Sequence, residues 1–211
     1  CIRDSTGEMY LCSMDTFKEK FRIRYHLSET DVVTLLSHMK EVYFKKKEVI
    51  VREGSRNTNL YLIKKGIWRA HYLKDGIDTT IWFASEGEAA FSIWGYADNS
   101  YSQISIEVMS DSIAYCISGA KLNELYYTSV GLANLGRRLM EHQLLTTENW
   151  LISAGSPKAK ERYLTLIKET PELLQYVPLK YIASYLWITP QSLSRIRAVS
   201  YTHLRAHETV L

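Results

Sequence analysis

The chain has 211 residues, of which 46% are hydrophobic and 23% charged, with a formal net charge of +3. That is the make-up of an ordinary globular protein of one large domain or two modest ones. No apolar run reaches the roughly 18–20 residues that a membrane span needs, and no charged-then-apolar leader opens the chain. A cytoplasmic location without membrane contact is therefore expected.

Both ends read as foreign. The tail Val199-Ser-Tyr-Thr-His-Leu-Arg-Ala-His-Glu-Thr209 back-translates to one strand of a transposon end used as a sequencing adapter, and Cys1-Ile-Arg-Asp-Ser5 to the opposite strand. Met14 then reads as the natural start. Residues 1–13 and 199–211 are set aside from fold reasoning on this expectation.

Residues 15–40 read as helical. Phe17 and Phe21 are four apart, Ser28 and Asp31 have capping-box-like spacing, and Val32, Leu35, Leu36 and Met39 follow at helical intervals. The period changes near Val42. Short β-branched or alternating runs follow at 48–51, 60–63, 67–72, 79–83, 104–108 and 113–117, separated by turn residues. Lys74-Asp75-Gly76 is the clearest hairpin signal among them. Such punctuation predicts a jelly-roll barrel or sandwich over residues 14–119. Cys116 lies in an apolar run and reads as a reduced core thiol. With Cys1 and Cys12 it forms neither a metal-ligand spacing nor a disulfide framework.

A long helix is predicted over residues 120–153. Leu132, Leu135, Leu139, Thr146 and Trp150 lie along one stripe, with His142 or Gln143 between them. That stripe suits a dimer seam, and the rival reading packs the helix on its own barrel. Gly131 and Gly136 cost helix stability and are expected to allow close approach of another backbone. Gly155-Ser156-Pro157 is the expected hinge, with Ser156 capping and Pro157 first in the next helix.

Charge is unevenly spread. Residues 14–153 carry 17 Lys or Arg against 17 Asp or Glu; residues 154–198 carry 7 against 3, a net of +4. A polyanion would meet that end first. There, a helix over 158–169 is expected to turn Tyr163, Leu164 and Ile167 inward. Two short helices then flank a tight turn at Trp187-Ile188. Ile182, Ala183 and Leu186 face in from the first and Leu193 and Ile196 from the second. Thr189 caps the second helix, which presents Gln191, Ser192, Ser194 and Arg195 outward. Arg can donate twice to guanine and Gln twice to adenine in a major groove, while hydroxyls and a capped helix start suit phosphates. An ordinary helical hairpin with a polar face is the plainer alternative.

The segment Ile182-Ala183, Leu186, Thr189-Pro190-Gln191-Ser192-Leu193-Ser194-Arg195 resembles the helix-turn-helix signature of the Crp/Fnr family, and the likeness extends over about residues 14–198. It implies an α+β fold. A cyclic-nucleotide-binding-type jelly-roll barrel (14–119) leads to a long dimerisation helix (120–153) and a C-terminal winged helix-turn-helix (154–198), its wing truncated or absent. It implies a homodimeric transcription regulator and not an enzyme, with a palindromic duplex and RNA polymerase as partners. The positions carried over to DNA are Thr189, Pro190, Gln191, Ser192, Ser194, Arg195 and Lys180. Pro190 offers no polar side chain, so the sequence read should differ from that of the best-known members.

The same resemblance restricts the effector. Gly87-Glu88 stands where the family's nucleotide-pocket pair lies, but the place of the phosphate-binding arginine falls near Ser102, and no Arg or Lys occurs between Lys74 and Lys121. A buried phosphate without a cation costs several kcal/mol, roughly, so cyclic AMP is not expected as effector. One credible cysteine is too few for an iron–sulfur sensor, and His71 and His142 are the possible haem ligands. No cofactor is expected. Trp82, Glu88, Trp94, Tyr96 and Tyr101 are the candidate lining of an effector pocket. Two alternatives remain: a cyclic-nucleotide or other small-ligand-binding module whose DNA binding is lost in truncated form, and a cupin-like metal enzyme, for which the barrel supplies only His71.

Overall fold

The computed structural model describes residues 10–154 and 158–198, with the backbone alone for residues 10–15. Two helices open it, α1 (Tyr10–Tyr25) and α2 (Glu29–Ser37). Ser28 caps α2 as the sequence suggests: its Oγ accepts the Asp31 N–H at 3.0 Å and donates to the Asp31 carboxylate at 2.6 Å. The second helix start read at Ser28 is borne out, and the first helix extends back to Tyr10 rather than starting near Asp15.

Eight strands follow: β1 (Lys40–Phe44), β2 (Val49–Val51), β3 (Leu60–Lys65), β4 (Trp68–Lys74), β5 (Ile77–Ala84), β6 (Ala89–Ala90), β7 (Ser105–Val108) and β8 (Ser112–Ile117). They form two four-stranded sheets, β1-β8-β3-β6 and β2-β7-β4-β5. The pairs β1–β8, β8–β3, β3–β6 and β2–β7 are antiparallel. The hairpin at Lys74-Asp75-Gly76 forms as predicted, with Asp75 at φ +52° and Gly76 at φ +77°, the left-handed pair that a two-residue turn requires. The sequence pattern missed β1, β6 and the short helix α3 (Ile93–Asp98). A two-residue strand has no period to read, and β1 leaves most of its side chains exposed or half-exposed.

The stretch predicted as one helix is two: α4 (Gly119–Tyr126) and α5 (Val130–Ala154). Between them Ser129 starts α5 by accepting the Leu132 N–H at 3.0 Å and donating to Asp31 at 2.9 Å. A Cβ on Gly131 would overlap that same Asp31 carboxylate, and one on Gly136 would press on the Tyr126 ring. Both glycines make room for side chains of their own chain, which corrects the expectation of a second backbone there.

After α5 come α6 (Ala159–Glu169), α7 (Leu173–Tyr176), α8 (Leu179–Tyr185) and a last helix, α9, over 190–198. Leu164, expected inside, is 43% exposed, whereas Tyr163 is buried. The predicted hinge at Gly155-Ser156-Pro157, both flanks beyond residues 10 and 198, and any wing lie outside the described residues.

The chain divides into two compact units, residues 1–70 with 83–145, and residues 71–82 with 146–211. In the first, Phe17, Phe21, Tyr25, Val32, Leu35, Leu60, Leu62 and Leu122 form one core with Leu132, Leu135 and Leu139 of α5. The three leucines expected at a dimer seam are therefore interior residues of this unit, almost wholly shielded from solvent. Removing any of them would cost about 2–5 kcal/mol, the usual range for a core leucine. Among the described residues no helix is long and apolar enough to cross a membrane.

Candidate nucleic-acid interface and effector region

In the second unit, α8 and α9 pack through small and branched residues. Ile182, Ala183, Leu186 and Leu193 are buried with Tyr163, Leu173 and Val177, and Ile196 is half-buried. Ala183 has no side chain to hold the helices apart, and its carbonyl accepts the Ile188 N–H across the turn at 3.0 Å. Thr189 starts α9 by accepting the Ser192 N–H at 3.1 Å and donating to the Ser192 hydroxyl at 3.0 Å. Such a side-chain cap contributes about 1 kcal/mol.

The outward face of α9 is the one read from sequence. Thr189, Pro190, Gln191, Ser194 and Arg195 are exposed and Ser192 is half-exposed. Ser194 turns its hydroxyl back to the Pro190 carbonyl at 3.0 Å, which leaves it an acceptor for an outside partner. Arg195 has no hydrogen-bond or ion-pair partner among the described residues. Lys180 is exposed on α8, its ammonium 4.7 Å from the Tyr181 ring centre.

The turn read at Trp187-Ile188 has a backbone that the sequence did not foretell. Trp187 has φ +56°, the left-handed region where glycine is the unstrained choice. Holding a tryptophan there costs about 1–2 kcal/mol. Its ring lies 4.6 Å from that of Trp150, tilted by 38°. Trp150 is itself buried, so this expected seam residue is packed within its own unit; Thr146 is half-buried. Arg162 donates to the Leu186 carbonyl at 2.9 Å and so ties down the end of α8.

In the first unit, Glu88 and Ser102 both have partners within their own chain. Glu88 pairs with Arg24 of α1 at 2.9 Å and accepts the Ser85 N–H at 2.8 Å. Tyr25, also on α1, accepts the Ala89 N–H at 3.0 Å, and burial pushes its hydroxyl up to about 12. Ser102 is wholly buried, with its hydroxyl between that of Ser92 at 2.9 Å and the Ile104 carbonyl at 2.8 Å.

The aromatic candidates have distinct immediate neighbours. Tyr96 packs on Phe91 and bonds the Tyr126 hydroxyl at 2.7 Å. Tyr101 is 55% exposed beneath the Arg56 guanidinium. Trp94 is half-buried, and Trp82 is buried in the other unit. His71 faces Asp78 at 3.4 Å and His142 faces Arg24 at 3.4 Å. Cys116 is half-buried, and burial pushes its thiol up, away from a metal-binding thiolate. No group of three His, Cys, Asp or Glu side chains is placed to hold a metal among the described residues.

Comparison with known proteins bears on the fold. Residues 41–129 match the family model of the cyclic nucleotide-binding domain. FixK2 of Bradyrhizobium japonicum superposes with a TM-score of 0.69 at 20% identity, over 78% of this chain and 85% of that one. The chain has a Crp/Fnr-like fold. Two further solved structures superpose with a TM-score of 0.63 each. A CooA mutant from Carboxydothermus hydrogenoformans is 12% identical over 85% of this chain and 88% of that one. A putative transcriptional regulator of the Crp/Fnr family from Eubacterium rectale is 16% identical over 89% and 88%. No curated protein sequence matches the chain.

The cluster of Arg24, Glu88 and His142 has a measurable signature. Burial lowers the pKa of His142, the Arg24 charge lowers it further, and Glu88 opposes both. A histidine that prefers to be neutral when folded stabilises the fold above its unfolded pKa of about 6.5. That contribution is lost as pH falls through the lower folded value. The wild-type melting temperature should therefore drop on acidification below about pH 6.5, and the drop should be smaller in His142→Gln. Calorimetric melts at several pH values check this; equal slopes for both chains would refute it.

Proposed function

We propose that the chain is a homodimeric, DNA-binding transcription regulator of the Crp/Fnr type that does not answer to cyclic nucleotides. The observation that carries this is the exposed face of α9, with the Arg195 guanidinium uncommitted above a buried helix-turn-helix core. A helix start with exposed Thr189 and Gln191 suits the phosphates and base edges of a major groove. In a twofold dimer two such helices would lie about 34 Å apart, one turn of duplex. A cytoplasmic setting and contact with RNA polymerase belong to the same reading.

The seam of the dimer is drawn from the outer face of α5. Leu132, Leu135 and Leu139 are used inside, but Leu144, Leu145, Leu151 and Ile152 are 57–72% exposed. Leu144 and Leu151 are seven residues apart, as are Leu145 and Ile152, the repeat that two packed helices share. Exposed apolar stripes of this kind favour a partner over water.

Three outcomes are expected. Arg195→Ala should weaken binding to a palindromic duplex by about 1–3 kcal/mol and relax the choice of base at one position per half-site. A fluorescence-anisotropy titration in which the variant matches wild type would remove Arg195 as a base reader. The double variant Leu145→Glu, Ile152→Glu should sediment as a monomer at concentrations where wild type is a dimer; an unshifted dimer would move the seam elsewhere. Isothermal calorimetry with cyclic AMP or cyclic GMP should show no heat of binding, because the anchor positions Glu88 and Ser102 are already engaged. Micromolar binding of either nucleotide would contradict the effector reading.

A further inference from the structure

The strand β5 ends its sheet, so one of its sides has no neighbouring strand. Such an edge exposes backbone N–H and C=O groups that must be covered or solvated. The two-residue turn at Asp75-Gly76 sets which groups those are. Residues 77 and 79 bond back towards β4, while Asp78 and Thr80 direct their backbone groups outward. In a strand the carbonyl of one residue and the N–H two residues on lie side by side, spaced for one peptide of a neighbour.

That place is taken by a side chain. Ser184, near the end of α8, accepts the Thr80 N–H at 2.9 Å and donates to the Asp78 carbonyl at 2.9 Å. One hydroxyl holds one donor and one acceptor, so it does what a single residue of a parallel strand would do. Thr80 is fully shielded from water. Its N–H therefore depends on a protein partner, and alanine or valine at 184 offers none.

We infer that Ser184 is a positioning residue that fastens the β4–β5 hairpin to the first helix of the helix-turn-helix. The hairpin strands belong to the sheet β2-β7-β4-β5, and the same hairpin groups with the C-terminal helices as one compact unit. From Ser184 the connection to the recognition helix is short and stiff. Arg162 holds the Leu186 carbonyl, and the Trp150 and Trp187 rings close over the turn. Displacement of the hairpin is carried by α8 to α9, and a fixed hairpin fixes the direction in which α9 is presented. This deepens the DNA-binding reading and rests on it. A fixed direction matters little for one half-site and much for two half-sites engaged together, because loose heads lose orientational freedom on the second contact.

The test uses the full chain with Ser184→Ala and Ser184→Thr. Alanine is the better helix former, so α8 itself is not weakened. Hydrogen exchange, read by mass spectrometry over residues 77–84, should accelerate by about tenfold at the Thr80 amide in Ser184→Ala and stay slow in Ser184→Thr. Anisotropy titrations use a duplex with two inverted half-sites, selected from randomised DNA on the wild-type chain, and a duplex with one. The affinity of Ser184→Ala for two half-sites should fall by about threefold or more while that for one half-site is unchanged, and threonine should restore it. Unaltered exchange in Ser184→Ala overturns the clasp. Faster exchange with wild-type affinity for two half-sites overturns its positioning role. A wild-type chain that binds no duplex defeats the DNA-binding reading, and the positioning role with it, while the exchange result alone still decides the clasp.

Discussion

The interface between the inner face of α5 and the first unit's core is the constraint on which the rest depends. Leu132, Leu135 and Leu139 are interior residues, set against the phenylalanines and tyrosine of α1 and the valine and leucine of α2. Their burial fixes the rotation of a 25-residue helix about its axis. Once that rotation is fixed, the outward direction of Leu144 and Leu145 is fixed too. The start of the helix is pinned by Asp31, which receives hydroxyls from Ser28 and Ser129 and fills the space left by Gly131. A polar contact of this kind costs little once every group is paired, and it specifies register more than it adds stability.

The first unit holds most of the residues that match the cyclic nucleotide-binding domain. Ser102 is held by hydrogen bonds with Ser92 and Ile104. The glutamate of the Gly-Glu pair turns to Arg24. In the absence of that arginine, the carboxylate would be left partly desolvated without a counter-charge. Helix α1 thus contributes the charge that holds the loop at Gly87, where the left-handed φ of +82° and close contact with Lys20 both call for glycine.

Much of this was legible in sequence where chemistry is local. Ser28 with Asp31, Asp75-Gly76 and Thr189-Pro190 are short signals whose meaning depends on neighbours one to three residues away, and each forms as read. The packing of α8 on α9 was legible because two apolar faces and a small crossing residue recur at fixed spacing. The face of α5 was not. Its inner and outer stripes are both leucine-rich, and periodicity alone cannot say which one meets the barrel. Leu164 misled for the same reason. Trp187 was unreadable because its left-handed backbone contradicts its residue type and is imposed by the surrounding fold. Ser184 was unreadable because its partners lie more than a hundred residues earlier, on a strand edge that exists only once the sheet has formed.

The central claim is that paired copies of α9 read a duplex with twofold symmetry. Selection of purified chain on randomised double-stranded DNA, followed by sequencing of the bound pool, tests it most directly. The account predicts enrichment of an inverted repeat whose half-sites are centred about 10–10.5 base pairs apart, or a multiple of that, with binding that weakens steeply as salt rises. Recovery of a pool without any repeated motif, or with a single unpaired site bound by one chain, would contradict it.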